Sequence, residues 1–410
     1  MGREKSKLRG SNRAPGMCIW VLAVSGMTLC GSPAAFAQSV PATPDSGAQP
    51  TQSFEQLARQ AQAAADANRI PEAIRLYQDA TALQPSWSEG WWNLGTMSFD
   101  SDQFIKARDA FIHFVLVEHK QPGPGFGMLG LTQFELKDYR KALDALERGN
   151  ALGLGDNTAF VHRVLFVDGI LNNFLAQPEI ALVRLTLLAN QLAAEHPEAP
   201  REAVLEDTEL LDAFGLAALR IRELPSQISA DKAALVRQAG HPLALLALQD
   251  RVAAGEEIKQ LVAQNPSEPG VHYMYGVYLL KEDPPSSIAE FRREIEVSPR
   301  DPSARIQLAL EFLRTSDYKQ GLTYAQEAIA LAPDNFVAHV ACGKLWLGLG
   351  NSNNALRELR TAVRLSPGSP DAHFALSRAL SDAGQSREAA KERAEFERLK
   401  ALSTAADRKE

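Results

Sequence analysis

Along this chain, small and apolar residues gather in blocks of helical length that end at a proline. Pro299, Pro333 and Pro367 are evenly spaced, in the contexts IEVSPRDPSARIQLAL, IALAPDNFVAHVACG and VRLSPGSPDAHFALS. Each context reads as the apolar end of one helix, a proline stop, a short turn and a new amphipathic helix. Proline suits that stop because it offers no N–H to a continuing helix and fixes its own φ. The frame extends upstream. With the stop proline at position 32, Pro85 closes a unit that starts at Phe54 and carries Ala73 at position 20, Tyr77 at 24 and Ala80 at 27. The unit from Ser88 has Trp91 at 4, Leu94 at 7, Gly95 at 8, Ala107 at 20 and Phe111 at 24. Units from Gly123 and His162 place Phe126, Leu129, Gly130, Ala142 and Leu146, then Leu165, Gly169, Ala181 and Leu185, in the same frame.

The pattern resembles the tetratricopeptide repeat, with W-x2-L-G-x2-Y on helix A, A-x3-F-x2-A on helix B and a closing proline. The resemblance covers about 54–196 and 268–400. It implies an all-α fold: a solenoid of antiparallel helix pairs wound into a right-handed superhelix. The packing logic agrees, because small residues at 8 and 20 let the two helices approach while large ones at 4 and 24 fill the space beside them. No single pair can bury its own face, so the units must stack.

Between 197 and 267 the frame fails. TELLDAFGLAALR looks like a helix A with Gly215 at position 8, ELPSQ makes a longer turn, and Pro242 is expected to start a further helix. In the unit closed by Pro299, Gly276 falls one place late and EDPPSS occupies the turn between helices, which is therefore altered. After Arg387 a charged helix replaces the motif and suits a solvent-tolerant end. The expected organisation is a signal peptide (1–37), a disordered linker (38–53), an N-terminal array (54–196), irregular helical repeats (197–267), a C-terminal array (268–386) and a capping helix with its tail (387–410).

Charge and composition alter this picture chiefly at the N-terminus. Arg3, Lys5, Lys7, Arg9 and Arg13 precede an apolar run from Cys18 to Cys30, and small residues lead to Ala35-Phe36-Ala37. That is a charged region, a short apolar region and an A-x-A cleavage site. The apolar run falls short of the roughly 20 residues a membrane span requires, so export with cleavage after Ala37 is expected and no span remains. Leu29 stands before Cys30 where a lipid-modified cysteine wants a small residue, which disfavours lipid anchoring. Cleavage removes five positive charges and one negative, taking the formal charge from −7 to −11. An acidic chain without a basic, aromatic-interleaved patch is not expected to bind nucleic acid. Of the three cysteines only Cys342 survives cleavage, so packing rather than a disulfide framework must hold an exported chain together.

Candidate chemistry dissolves into the repeat. GFGMLG, Gly125 to Gly130, matches G-x-G-x-x-G, but it stands at the head of a helix A after a segment in phase as helix B, not in a βαβ unit. No HExxH, close metal pair or G-x-S-x-G elbow occurs among the eight histidines and the serines. His272, His339 and His373 fall at or near position 4, where a partly buried, hydrogen-bonded histidine is expected rather than a metal ligand. Cys342 at position 7 is expected in the core. No cofactor, metal or catalytic residue is expected, and the chain is read as a non-enzyme. A hydrolase site in 197–267 would draw on Glu202, Glu206 and Asp207, for which the sequence shows no paired geometry.

The resemblance implies a concave groove lined by positions 2, 5, 9, 12 and 13 of helix A. On this sequence the early units put Glu89, Trp92, Thr96, Phe99 and Asp100 there, then Phe134, Glu135, Phe166 and Ile170. The late units contribute Arg314, Lys344, Leu347, Phe374 and Arg378. The first set is aromatic and acidic and the second more basic, which suggests a bipolar groove for a protein or peptide partner. The Lys and Asn set of the chaperone-binding carboxylate clamp is not found: position 5 holds Ala58, Trp92, Gly127, Phe166, Ile306, Val340 and Phe374. The alternative is a structural component of the cell envelope or of an export machine, working through the convex face or the N-terminal tether.

Overall fold

The computed structural model describes residues 53–407; the expected signal peptide and all but the last residue of the expected linker lie outside the described residues. Twenty α-helices and one 3-10 turn are found among the described residues, with no strand. The chain divides into two compact units between Gly155 and Asp156.

Unit 1 holds three helix pairs: α1 (Phe54–Asp66) with α2 (Ile70–Leu83), α3 (Ser88–Asp100) with α4 (Phe104–Val117), and α5 (Gly123–Glu135) with α6 (Tyr139–Leu152). Ser53 starts α1 with a capping box closed by Gln56, which satisfies amide groups a helix end leaves open. Each pair packs internally, and α2 on α3 and α4 on α5 join the pairs.

Unit 2 opens with α7 (Thr158–Phe174) and α8 (Pro178–Glu195). It continues through α9 (Pro200–Leu205), α10 (Thr208–Ala218), a 3-10 turn at Pro225–Gln227, α11 (Ala230–Ala247) and α12 (Arg251–Gln264). Four pairs then follow: α13 (Val271–Glu282) with α14 (Pro284–Val297), α15 (Ser303–Arg314) with α16 (Tyr318–Leu331), α17 (Phe336–Gly348) with α18 (Ser352–Leu365), and α19 (Pro370–Asp382) with α20 (Ser386–Asp407). The first helices of successive pairs lie side by side, α15 on α17 and α17 on α19.

One contact recurs inside the pairs and explains the frame. A Cβ added at Gly95 would strike Phe111, at Gly130 Leu146, at Gly169 Leu185, at Gly276 Phe291 and at Gly343 Leu359. Position 8 is small because the large residue of helix B lies against its backbone. Phe111, Phe291, Leu146, Leu185 and Leu359 are all fully buried, each contributing about 1.5–3 kcal/mol of apolar burial. The spacing from glycine to partner is constant except at Gly276, where it is one position shorter. In that pair only Asp283 separates α13 from α14, whereas Ala67, Asn68 and Arg69 separate α1 from α2. The altered turn is thus shortened, and it moves Gly276 out of the expected register.

The other turns share a feature that the sequence hides. Asn68, Asp102, Lys137, Ala176, Gln249 and Ser316 adopt positive φ between paired helices, where Gly350 and Gly384 occupy the same place later in the chain. Each residue closes its helix in the left-handed region, which glycine enters without cost and other residues do not.

The irregular middle has its own logic. Gly215 of α10 and Gly240 of α11 face each other so closely that a Cβ on either would overlap a backbone carbonyl, of Val236 or Leu211. Pro242 lies inside α11 and does not start a helix as expected. The close approach to α10 buries this stretch, with Val236, Ala239, Gly240 and Pro242 all in the core, and that packing carries α11 past the one hydrogen bond proline cannot make.

Candidate functional site

On α3, residues 89, 92, 96, 99 and 100 fall on one side of the helix by their spacing. Glu89 and Asp100 are exposed and Trp92, Thr96 and Phe99 half-buried. Trp92 is anchored by its neighbours: its ring centre lies 5.9 Å from that of Phe111 and 5.2 Å from that of Phe114. Phe99 meets Phe104 edge-on at 5.5 Å. The Thr96 hydroxyl turns back to donate to the Trp92 carbonyl at 3.0 Å. Although the residue is exposed, desolvation of its carboxyl by neighbouring atoms raises Asp100 above its ordinary range. On α5, Phe134 lies 5.8 Å from Tyr139 and Glu135 is exposed.

Unit 2 places its candidates differently. Phe166 is half-buried and Ile170 buried. Both Nε and Nη2 of Arg314 donate to Glu311 Oε2, at 3.0 and 2.8 Å. Lys344 Nζ holds both carboxylate oxygens of Asp371, at 2.6 and 2.7 Å, and so ties α17 to α19. These two cations carry their own counter-charges, which mutes the basic character expected of this face. Arg378 is exposed, Leu347 half-buried, and Phe374, 39% exposed, packs on Phe396 of α20 at 5.1 Å.

The other tryptophans of WSEGWWNLG serve the frame. Trp87 stacks on Tyr77 at 5.8 Å and meets Phe54 edge-on. Trp91 donates from Nε1 to the Pro85 carbonyl at 2.8 Å and stacks on His113 at 4.4 Å. The histidines repeat the first of these contacts. Nε2 of His272, His339 and His373 donates to the carbonyls of Pro266, Pro333 and Pro367, each at 2.9 Å. Nδ1 of each faces a glutamate of its paired helix: Glu290 at 2.6 Å, Glu358 at 2.8 Å and Glu392 at 2.6 Å. Position 4 therefore braces helix A to the preceding proline turn, and the imidazole adds a link to helix B. Arg305 forms the same link in the intervening pair, with Nε at 2.9 Å from Glu327. The sequence signals for this brace were a proline in the turn before each histidine and a glutamate at a near-constant distance after it.

Three polar sets escaped sequence reasoning. Glu294, buried, accepts from the amides of Gly270 and Tyr273 at 2.9 and 3.1 Å and so caps α13. Asp168, fully buried at an apolar position, holds Arg184 at 3.2 Å and Asn172 at 2.6 Å. Arg220, in the turn after α10, pairs with Glu179 at 2.7 Å and lies over the Tyr273 ring at 4.8 Å, tying that turn to α8 and α13.

GFGMLG lies within helix α5, preceded by helix α4, so it forms no phosphate loop. Cys342 is buried, and burial pushes its thiol up to about 12. Glu202, Glu206 and Asp207 line a hollow of about 350 Å³ with His196, and Asp207 is committed to capping α10 through the Leu210 amide. Among the described residues no group of three or more His, Cys, Asp or Glu is placed to hold a metal. A larger cleft of about 640 Å³ runs along α2, α3 and α4, away from the candidate face, lined by Gln78, Trp91, Ile105, Asp109 and His113 among others. Among the described residues no helix is long and apolar enough to cross a membrane.

The tetratricopeptide repeat model matches residues 58–111, 306–370 and 341–404. Similar solved structures include "MamA RS-1 ArsTM double mutant", 18% identical with a TM-score of 0.39, covering 43% of this chain and 99% of that one. "MamA 41-end from Desulfovibrio magneticus RS-1" is 19% identical with a TM-score of 0.38, covering 43% and 98%. A third, "Crystal structure of MamA", is 16% identical with a TM-score of 0.37, covering 40% and 96%. The search of curated proteins gives no match.

Proposed function

We propose that this chain, matched by the tetratricopeptide repeat model over 58–111 and 306–404, is a tetratricopeptide repeat protein and an exported, non-catalytic scaffold that holds a peptide segment or partner surface on its A-helix faces. The observation that carries this reading is α3, where anchored aromatic rings are left half-open between exposed carboxylates. Preformed helices limit the ordering cost of capture, and a few aromatic anchors supply most of the binding energy. Residues 1–37 act as a removable leader, and the acidic mature chain does not engage nucleic acid. A mature N-terminus at Gln38 in an extracytoplasmic fraction supports the export proposal, and retention of residues 1–37 in the functional protein contradicts it.

Exposed apolar stripes favour a second reading, capture by the outer face. Ile105, Ile112 and Leu116 share one side of α4, and Ile180, Val183 and Leu187 one side of α8. Two double variants separate the readings in co-purification from native cells. Glu89→Arg with Thr96→Arg obstructs the α3 face, and Ile112→Arg with Leu116→Arg obstructs the outer side of α4. Loss of the partner with the first pair alone supports the groove. Loss with the second pair alone, or on deletion of 38–52 alone, overturns it.

A further inference from the structure

We propose that the α1–α3 face of unit 1 takes a cationic segment, rich in arginine or lysine with apolar or aromatic residues between the charges. This rests on the groove reading and adds the chemical class of its occupant. Glu55 and Asp66 on α1 recur as Glu89 and Asp100 at the same two positions of α3, one repeat later. Within each helix the two acids are about three turns apart, hence about 16 Å along the axis and on the same side. All four are exposed. Positions 2, 5, 9, 12 and 13 of α1, α3 and α5 contain no lysine or arginine. Trp92 and Phe99, each fixed by a ring behind it, stand between Glu89 and Asp100.

The acids on α2 and α4 of the same unit are arranged otherwise. Glu72 has Arg69 at 2.7 Å, Asp79 has Arg75 at 3.3 Å and Asp109 has Arg108 at 2.7 Å. Among the described residues Asp66, Glu89 and Asp100 are in no such ion pair. The acids of α2 and α4 are therefore neutralised from within, whereas Asp66, Glu89 and Asp100 stand around aromatic rings without a cation in salt-bridge reach among the described residues. A cationic segment supplies the missing charges, and a guanidinium can also lie over an open ring face. An acidic segment meets only repulsion there.

The test is fluorescence anisotropy on the full mature chain with labelled peptides. One repeats Arg-Phe-Lys-Ala; its counterparts carry Gln or Glu at every Arg and Lys. The cationic peptide is expected to bind, more weakly as salt rises. Asp66→Asn/Glu89→Gln/Asp100→Asn should weaken it about tenfold or more. Glu72→Gln/Asp79→Asn/Asp109→Asn, with the same change in net charge, should change it less than about twofold. Circular dichroism and melting confirm that both variants are folded. Equal weakening by the two triple variants overturns the proposal, because net charge alone then does the work. Binding of the Gln peptide as tight as that of the cationic one overturns the charge class and leaves the groove reading standing. Binding that only Ile112→Arg/Leu116→Arg abolishes overturns both.

Discussion

His339→Leu tests whether the brace at position 4 holds the C-terminal pairs together. The imidazole donates from Nε2 to the Pro333 carbonyl at 2.9 Å, and Nδ1 faces Glu358 at 2.8 Å. The His339 and Glu358 side chains are 8% and 13% exposed, so water replaces neither bond freely. Leucine fills much of the volume but strands both acceptors. An orphaned, mostly buried acceptor costs about 1–3 kcal/mol, and a carboxylate that loses its partner in a closed site costs more. Arg357, at 3.0 Å from Glu358, remains to offset part of that loss. The expected destabilisation is about 3 kcal/mol. Adding Glu358→Leu removes the stranded charge and leaves the carbonyl alone, so the double variant should lose only about 1 kcal/mol. Glu358→Leu alone, which leaves His339 Nδ1 without its partner, completes the double-mutant cycle, and the two single losses should sum to more than the loss in the double variant. Urea unfolding followed by circular dichroism supplies the energies, and hydrogen exchange over α17 and α18 localises them, since repeat arrays open locally. If the single variant costs under about 1 kcal/mol, or no more than the double, His339 is filler and the brace carries no stability.

Gly95→Ala should destabilise unit 1 by about 1–3 kcal/mol in the same assay, because the new methyl lands on the Phe111 ring. Lys137→Gly should stabilise it by roughly 0.5–1 kcal/mol by relieving a positive φ of 62°. Cys342 should resist a disulfide exchange reagent at neutral pH until denaturant is added, since the buried thiol ionises only near 12. Acidification should weaken binding of the cationic peptide. The raised Asp100 carboxyl gains its proton before an ordinary aspartate as pH falls, so its share of the attraction is present at neutral pH and is the first to fade on acidification.

Much of the fold was legible because the repeat is written in steric extremes. Proline marks where helix B stops, and glycine at position 8 marks where a ring or leucine of that helix lies, as Gly95 and Phe111 show. The left-handed turn residues were not legible, because Lys137, Ala176 and Ser316 hold a conformation their side chains do not advertise. Pro242 misled because it usually begins a helix, and the Gly215–Gly240 crossing that overrides this exists only between α10 and α11. At the candidate face, helical spacing placed Glu89, Trp92, Phe99 and Asp100 on one side of α3. The counter-charges at Arg314 and Lys344 were harder to see. Glu311 lies one turn before Arg314 on the same helix, but Asp371 reaches Lys344 from the next pair.

The central claim, that a partner is held on the A-helix face of unit 1, is tested most directly by photo-crosslinking. A benzophenone amino acid is placed in turn at Thr96 and Phe99 on α3 and at Ile105 and Ile112 on α4, and the chain is irradiated in its native cells. The account predicts a partner adduct from the α3 positions and none from α4, with the attached residues lying in a lysine- or arginine-rich segment. Adducts from Ile105 or Ile112 with none from Thr96 or Phe99 would contradict it.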